Sequence, residues 1–404
     1  MITTRRAVQD YFSRLNEQLV TWRRHIHANP ELSFEEEQTA AYIAGEIRAM
    51  GLEPRTGVGG NGIVVDIGPA DRADGARPTV LVRADIDALP VTEQTGLDFA
   101  SRNEGVMHAC GHDIHTTSLL GAARFFAENR ESLPGTVRVI FQPAEEKLPG
   151  GARAMIADGV LQNPEPRLAL GQHINPELPV GKAGFIPGQF MASVDDFHFT
   201  VKGVGGHAAH PEALVDPVVI AAQIINALQS VVSRRAPRGV PTTLSIGKVV
   251  APGASNVIPD TVYMEGTFRT TDEEWRERAR GLIEELATQT ARAAGGDCEV
   301  EVLPGYPSLF NDRELTSRAR EFAEEFLGEE HVVDLPLTMG AEDFAYYGHE
   351  IPGCFYNLGV TDFEEVPAPP PLHSPRLTPS ERALPIGAGL LTWITLRSLE
   401  TLAA

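Results

Sequence analysis

Cysteine is scarce in this sequence: Cys110, Cys298 and Cys354 are the three in a chain of 404 residues. An odd number at wide spacing argues against a disulfide framework and for a reducing compartment, which we read as cytoplasmic. Positive charge is also in deficit. Lys+Arg total 34 against 55 Asp+Glu, a net charge of −21, which repels nucleic acid and anionic lipid and argues against both as partners. No run reaches the ~18 consecutive apolar residues of a membrane span, and Met1–Val20 lacks the apolar core of a signal peptide. There is no internal repeat, and no low-complexity tract beyond Ala368-Pro-Pro-Pro371. What is present, 42% hydrophobic and 22% charged residues, is the composition of a packed globular protein. The length predicts about two to three domains.

Apolar positions recur at helical spacing from Arg5 to Met50, broken at Asn29-Pro30, with Gly51 placed as a helix C-cap. Two β-rich runs follow, Gly62–Gly68 and Pro78–Ala84, separated by a Gly/Asp/Pro-rich turn; then a helix from about Thr116 to Asn129 and a strand at Gly135–Gln142. This alternation predicts a mainly parallel α/β sheet covered on both faces. From about Gly188 to Leu303 the pattern becomes strand Ser193–Lys202, helix Asp216–Arg234, strands Thr242–Val250 and Thr261–Thr270, helix Asp272–Ala294 and strand Cys298–Leu303. That βαββαβ order predicts an inserted ferredoxin-like domain. The expected division is a first domain formed by residues 1–187 and 304–404, interrupted by an insert at 188–303. Helix and strand patterns resume at Arg313–Leu327, Phe355–Leu358 and Glu381–Leu402.

The chemistry concentrates in Met107-His-Ala-Cys-Gly-His-Asp-Ile-His115, where a thiol, three imidazoles and a carboxylate crowd the approach to a helix. Cys110 and His112, separated by Gly111, aim at one point only in a non-helical turn, which glycine permits. Thiolate beside imidazole favours zinc-like borderline ions. At Phe141-Gln-Pro-Ala-Glu-Glu146 a strand ends in adjacent carboxylates, which repel unless a cation or shared proton relieves them. Glu146 is read as a metal ligand and Glu145 as a general base. Gly171-Gln-His173 and Leu372-His373-Ser-Pro375 add imidazoles in contexts read as turns. Cys110, His112, Glu146, His173 and His373 are too many ligands for one tetrahedral ion with an open position and suit two ions. The bland alternatives are a buried Cys, a capping Asp113, a solvated Glu pair and structural histidines.

The runs Arg24-His-Ile-His-Ala-Asn-Pro-Glu-Leu-Ser-Phe34, Arg83-Ala-Asp-Ile-Asp-Ala-Leu-Pro90, Met107–His115, Gln142–Glu146, Gly205-Gly-His-Ala-Ala209, Asn256-Val-Ile-Pro-Asp260 and Gly340-Ala-Glu-Asp-Phe344, in this order, resemble the M20 metallopeptidases. The subgroup they match holds hippurate hydrolases, N-acyl-L-amino-acid amidohydrolases, indole-acetyl-amino-acid hydrolases and N-acetyldiaminopimelate deacetylases. The resemblance implies a catalytic α/β domain with an inserted lid through which the chain pairs as a homodimer. It implies the same five ligands and the same base, with Asp87 orienting a ligand imidazole. The wider family has a ligand histidine where this chain has Asp85, so the chain follows the cysteine-containing subgroup. Asp113 is left as either a supporting group or a ligand, and His115 as a supporting one.

On the insert, His207 is expected to act on the reaction, in its own subunit or its partner's, with a structural turn histidine as the alternative. Arg269 and Asn256 are candidates for gripping a substrate carboxylate; a surface arginine and a turn asparagine are the alternatives. The resulting expectation is hydrolysis of small N-acyl-L-amino acids to a carboxylic acid and a free amino acid. The cofactor is two divalent ions per subunit, Zn, Mn, Co or Ni. A dipeptidase or carboxypeptidase is the alternative enzyme, and a non-catalytic metal-binding module the alternative class.

Overall fold

The computed structural model describes residues 4–69 and 77–404. The Gly/Asp/Pro-rich turn expected between the first β-rich runs lies, apart from its ends, outside the described residues. The chain opens with α1 (Arg5–Ala28) and α2 (Glu37–Ala49). Val8, Phe12, Leu15, Leu19, Trp22 and Ile26 bury one stripe of α1, and the Thr4 hydroxyl caps it by accepting from Ala7 N. Then follow β1 (Arg55–Val58), β2 (Gly62–Ile67), β3 (Thr79–Asp85), α3 (His112–Glu128), β4 (Thr136–Gln142), α4 (Gly151–Ala157), β5 (Leu168–Pro179) and β6 (Ala183–Phe185). Next come β7 (Gly188–Met191), β8 (Ser193–Lys202), β9 (Gly206–His207), α5 (Pro217–Ser230), β10 (Thr242–Val250), β11 (Val257–Ile258), β12 (Thr261–Thr270), α6 (Glu273–Ala293), β13 (Asp297–Pro304) and β14 (Leu309–Asn311). The chain closes with α7 (Arg313–Leu327), β15 (Val332–Asp334), α8 (Ala345–Glu350), β16 (Gly353–Thr361) and α9 (Ala383–Ala403).

The chain divides into two compact units. The first, Met1–Gly188 with Phe310–Pro336 and Asp343–Ala404, is built on an eight-stranded sheet in the order β1-β2-β4-β3-β5-β16-β6-β15. Its centre, β4-β3-β5-β16, is parallel, and antiparallel pairs flank it. Every residue of β3 is buried, as expected of a strand covered on both faces. Helices α1, α3 and α9 pack on one another and α3 and α9 on β3. Each fully buried Leu, Ile or Phe there contributes about 1.5–3 kcal/mol.

The second unit, Gln189–Leu309 with Leu337–Glu342, has an antiparallel sheet in the order β10-β12-β8-β13. Alternate residues of β8 and β12, among them Phe197, Phe199, Val201, Val262, Met264 and Phe268, form its core with Ile220, Ile224 and Leu228 of α5 and Trp275 and Ile283 of α6. With the short β7, β9 and β11 set aside, the four strands of this sheet and the two helices follow in the order βαββαβ. Beside the insert expected at 188–303, the compact unit runs on to Leu309 and takes in six residues of the later Leu337–Glu342 segment.

Two local readings are corrected. The helix expected from Thr116 begins at His112, because Gly111, at φ 88, turns the chain directly into it. His173 is not in a turn: it lies within the twelve-residue strand β5, paired with Asn357 of β16.

Candidate metal centre

In the first unit the C-terminal end of the sheet and the start of α3 bring the chemistry together. Gly111 suits the turn there. A Cβ on it would stand 2.2 Å from Ile174 Cδ1, and its left-handed φ lets Cys110 and His112 face one region. Cys110 Sγ lies 3.4 Å from His173 Nε2. Among the potential ligand sets in this region are Cys110, His112 and His173; Cys110, Glu146 and His373; His112, Glu145 and Glu146; and Asp85, His112 and His115, the atoms within each set lying within 4.8 Å of one another. Cys110 belongs to two of the sets. The loop bearing His373 docks on the same motif, its N–H donating to Ala109 O at 2.7 Å.

The imidazoles are oriented as ligands are. Nδ1 of His112 donates to Asp87 O at 2.9 Å, and Nδ1 of His173 to Ile174 O at 2.7 Å. Both Nε2 atoms therefore face the cluster with their lone pairs. His112 Nε2 and Glu146 Oε1 are buried without a hydrogen-bond partner, 3.8 Å apart. His373 Nε2 lies 3.3 Å from the same carboxylate oxygen. Orphaned buried acceptors are costly unless a missing partner satisfies them.

Electrostatics point the same way. Burial opposes a charge on His112, but Asp85, Asp87 and Glu146 outweigh it and push its pKa up to about 10. Burial, Glu146 and Glu145 push the Cys110 thiol well above its ordinary value. A cluster that forces a proton onto an imidazole and holds a thiol neutral calls for positive charge, and a divalent cation would supply it while deprotonating the thiol. The donor set, thiol, imidazoles and carboxylates with orphaned lone pairs, fits metal.

Asp87 braces the site as expected of an orienting group. Its Oδ1 lies 3.2 Å from His112 Nδ1, and its Oδ2 accepts from Ser33 Oγ at 2.6 Å and Glu146 N at 2.9 Å. Glu145 is buried, with Oε2 3.9 Å from His112 Nε2. Asp113 is turned away. It accepts from Arg23 Nε at 3.1 Å and His27 Nδ1 at 2.9 Å, and His27, though burial opposes it, is pushed up to about 9 by Asp113 and Glu93.

Sequence reasoning left His115 as a supporting residue but missed the network beneath the cluster to which it belongs. Asp85 accepts from Arg83 Nη1 at 2.7 Å and His115 Nδ1 at 2.6 Å, and His115 Nε2 accepts from Ile174 N, next to His173, at 2.8 Å. Arg83 continues to Gln142 and Asp343. The signal was available: Arg83 and Asp85 stand two apart at the end of an apolar strand, and Asp87 follows at the same spacing just beyond it.

The remaining site candidates lie in the second unit. His207 and Asn256 are neighbours, because β9 pairs with β11 and Ala208 N donates to Asn256 O at 3.1 Å. His207 Nδ1 accepts from Ala209 N at 3.1 Å. Arg269, at the end of β12, donates to Met339 O at 2.9 Å.

Fold and cluster together define a mixed α/β protein with a buried group of residues able to hold metal. Residues 81–395 match the model of peptidase family M20/M25/M40, and the chain belongs to that family of metallopeptidases and amidohydrolases. It is 40% identical to the N-acetylcysteine deacetylase of Bacillus subtilis over 388 residues, 95% of this chain and 97% of the relative. It is 36% identical to thermostable carboxypeptidase 1 of Saccharolobus solfataricus over 374 residues, 92% of each. The crystal structure of the Bacillus subtilis YXEP protein, described as a dinuclear metal binding peptidase, superposes with a TM-score of 0.81 at 36% identity, covering 96% of this chain and 99% of that one. Among the described residues no helix is long and apolar enough to cross a membrane.

Proposed function

We propose that the protein hydrolyses the amide bond of N-acyl-L-amino acids, with Cys110, His112, Glu146, His173 and His373 holding two divalent ions, Zn, Mn, Co or Ni. The observation that carries the reading is the pair of orphaned buried acceptors, His112 Nε2 and Glu146 Oε1, converging beside the buried Glu145. When bound, the ions polarise the scissile carbonyl and acidify water. Glu145 takes a proton from the attacking water as the C–O bond forms. It then gives that proton to the nitrogen as the C–N bond breaks, leaving a carboxylic acid and a free amine. Asp87 keeps His112 in the tautomer that leaves Nε2 unprotonated.

His207 is assigned to the developing oxyanion. Its Nδ1 is an acceptor, so in the neutral ring Nε2 carries the hydrogen. Arg269 and Asn256 are assigned to the substrate's α-carboxylate, for which a guanidinium fork is suited. The deacetylase relative favours N-acyl substrates; the carboxypeptidase relative supports peptides as the second reading. Three free, buried cysteines support a reducing, cytoplasmic setting.

The test is an assay of metal-reconstituted enzyme on N-acetyl and aromatic N-acyl amino acids, their methyl esters, and dipeptides. N-acyl acids should be turned over best. Esters should lose about ten- to a hundredfold in kcat/KM, the worth of a charge-assisted contact, and a chelator should abolish activity until a divalent ion is restored. Dipeptides as the better substrates would favour the second reading, and full activity without metal would defeat both.

A further inference from the structure

One buried carboxylate outside the ligand set reaches across the fold to the turn that carries Glu145 and Glu146. Glu36, wholly buried, stands immediately before α2. Its Oε1 accepts two backbone N–H groups, from Phe34 at 2.9 Å and from Ala144 at 2.8 Å, and its Oε2 accepts from Asn61 Nδ2 at 3.0 Å. Both amide donors have left-handed backbones, Phe34 at φ 71 and Ala144 at φ 53. Neither residue is glycine, and a Cβ disfavours that conformation. Such residues persist where surrounding contacts over-determine them. At Ala144 those contacts are the Glu36 carboxylate on its N–H and Gly151 N on its carbonyl, at 3.0 Å.

We propose that Glu36 is a positioning residue for the hydrolytic site: by holding the Ala144 amide it fixes the left-handed turn from which Glu145 and Glu146 project. The turn is pinned by two carboxylates. Glu36 takes the N–H of Ala144 and Asp87 takes the N–H of Glu146, so Glu145 stands between two fixed amides. Hydrogen bonds from backbone N–H to a carboxylate are among the stronger kind, and stronger still when desolvated. The inference rests on the reading of Glu145 as base and Glu146 as ligand. Its rival is that Glu36 only organises the entry to α2, through Phe34.

Glycine at position 144 separates the two. In Glu36→Ala, kcat on an N-acyl amino acid should fall about ten- to a hundredfold, as for a reactive group displaced by a fraction of an ångström to an ångström. Zn²⁺ affinity, read by competition with a chromophoric chelator, should weaken with it. Adding Ala144→Gly, which adopts positive φ freely, should recover about tenfold in kcat and part of the Zn²⁺ affinity, while the same change in the parent gives no gain. If Glu36 serves only α2, Ala144→Gly rescues nothing and lowers the melting temperature further. Should Glu36→Ala not fold, Glu36→Gln, which keeps the shape with one neutral acceptor, carries the same comparison. Unchanged kcat and Zn²⁺ affinity in a folded Glu36 variant would overturn the proposal. Failure of the underlying reading shows elsewhere, as turnover surviving in Glu145→Gln.

Discussion

On the proposed reading Glu145 and Cys110 divide the two tasks of the site, proton transfer and ion binding, and substitutions should separate them in the test tube. Glu145→Gln keeps shape and removes the proton acceptor, so bound metal should be retained while kcat falls by about 10²–10⁴. Cys110→Ala removes a member common to two ligand sets, so metal itself should be lost, measured by elemental analysis of the dialysed protein. The reverse pattern would exchange the two assignments. That these residues come together was legible in the sequence because their types are chemically distinctive and packed into short runs. His115 was read as a supporting group, but the partners of Asp85 and Glu36 were not legible, because they come from other elements: Asp85 of β3 meets His115 of α3, and Glu36 an alanine N–H just past β4. A carboxylate that serves a backbone amide leaves no spacing in the sequence to read.

At the scale of elements, long periodic segments were legible and short ones were not. Strands β8, β10 and β12 and helix α7 begin and end where the patterns placed them; β8, β12 and α7 each present one sustained apolar face, and β10 is a β-branched run beside β12. The start of α3 was hidden by polar residues that, being buried at the site, break the helical apolar pattern, and the strand bearing His173 by its polar ending. One buried ion cluster secures the second unit. Asp195, fully buried in β8, accepts from Arg276 Nε at 2.9 Å and Nη2 at 2.6 Å and from Arg280 Nε at 2.9 Å and Nη2 at 2.7 Å, tying α6 to the sheet. Burial opposes its charge, but the two guanidinium groups hold its pKa below the ordinary carboxylate value. A carboxyl with a depressed folded pKa contributes stability fully above its unfolded pKa, about 3.9, and loses it as pH falls through the folded value. Asp195→Asn should therefore destabilise by about 3–5 kcal/mol near neutrality, the cost of breaking a buried pair. The gap in melting temperature between parent and variant should narrow only below about pH 4. A gap that narrowed between pH 6 and 5 would implicate a different group.

For the whole molecule, the second unit carries an uncharged surface in a chain whose net charge is −21. The outward face of α5 presents Val218, Val219, Ala222, Gln223, Asn226 and Gln229, exposed and without a charge. At the sheet's open edges the two strands differ. Edge strand β13 bears Asp297, Glu299 and Glu301, which guard it against pairing, whereas β10 has Lys248 as its one charge and ends in Val249 and Val250, 52% and 43% exposed. A second copy of the chain is the occupant we propose for this face. A two-fold axis beside β10 would pair it with its own copy, antiparallel, and set the uncharged helices alongside, an isologous contact that closes on itself. A stable dimer would need about 1,200–2,000 Å² of total buried surface. Light scattering should then give twice the chain mass at micromolar concentration. Val249→Pro, which takes an N–H from the edge, and Val219→Glu, which places like charges across the axis, should shift the mass toward monomer with metal content unchanged. A parent protein that runs as a monomer, or variants that stay dimeric, would remove β10 and α5 as the contact.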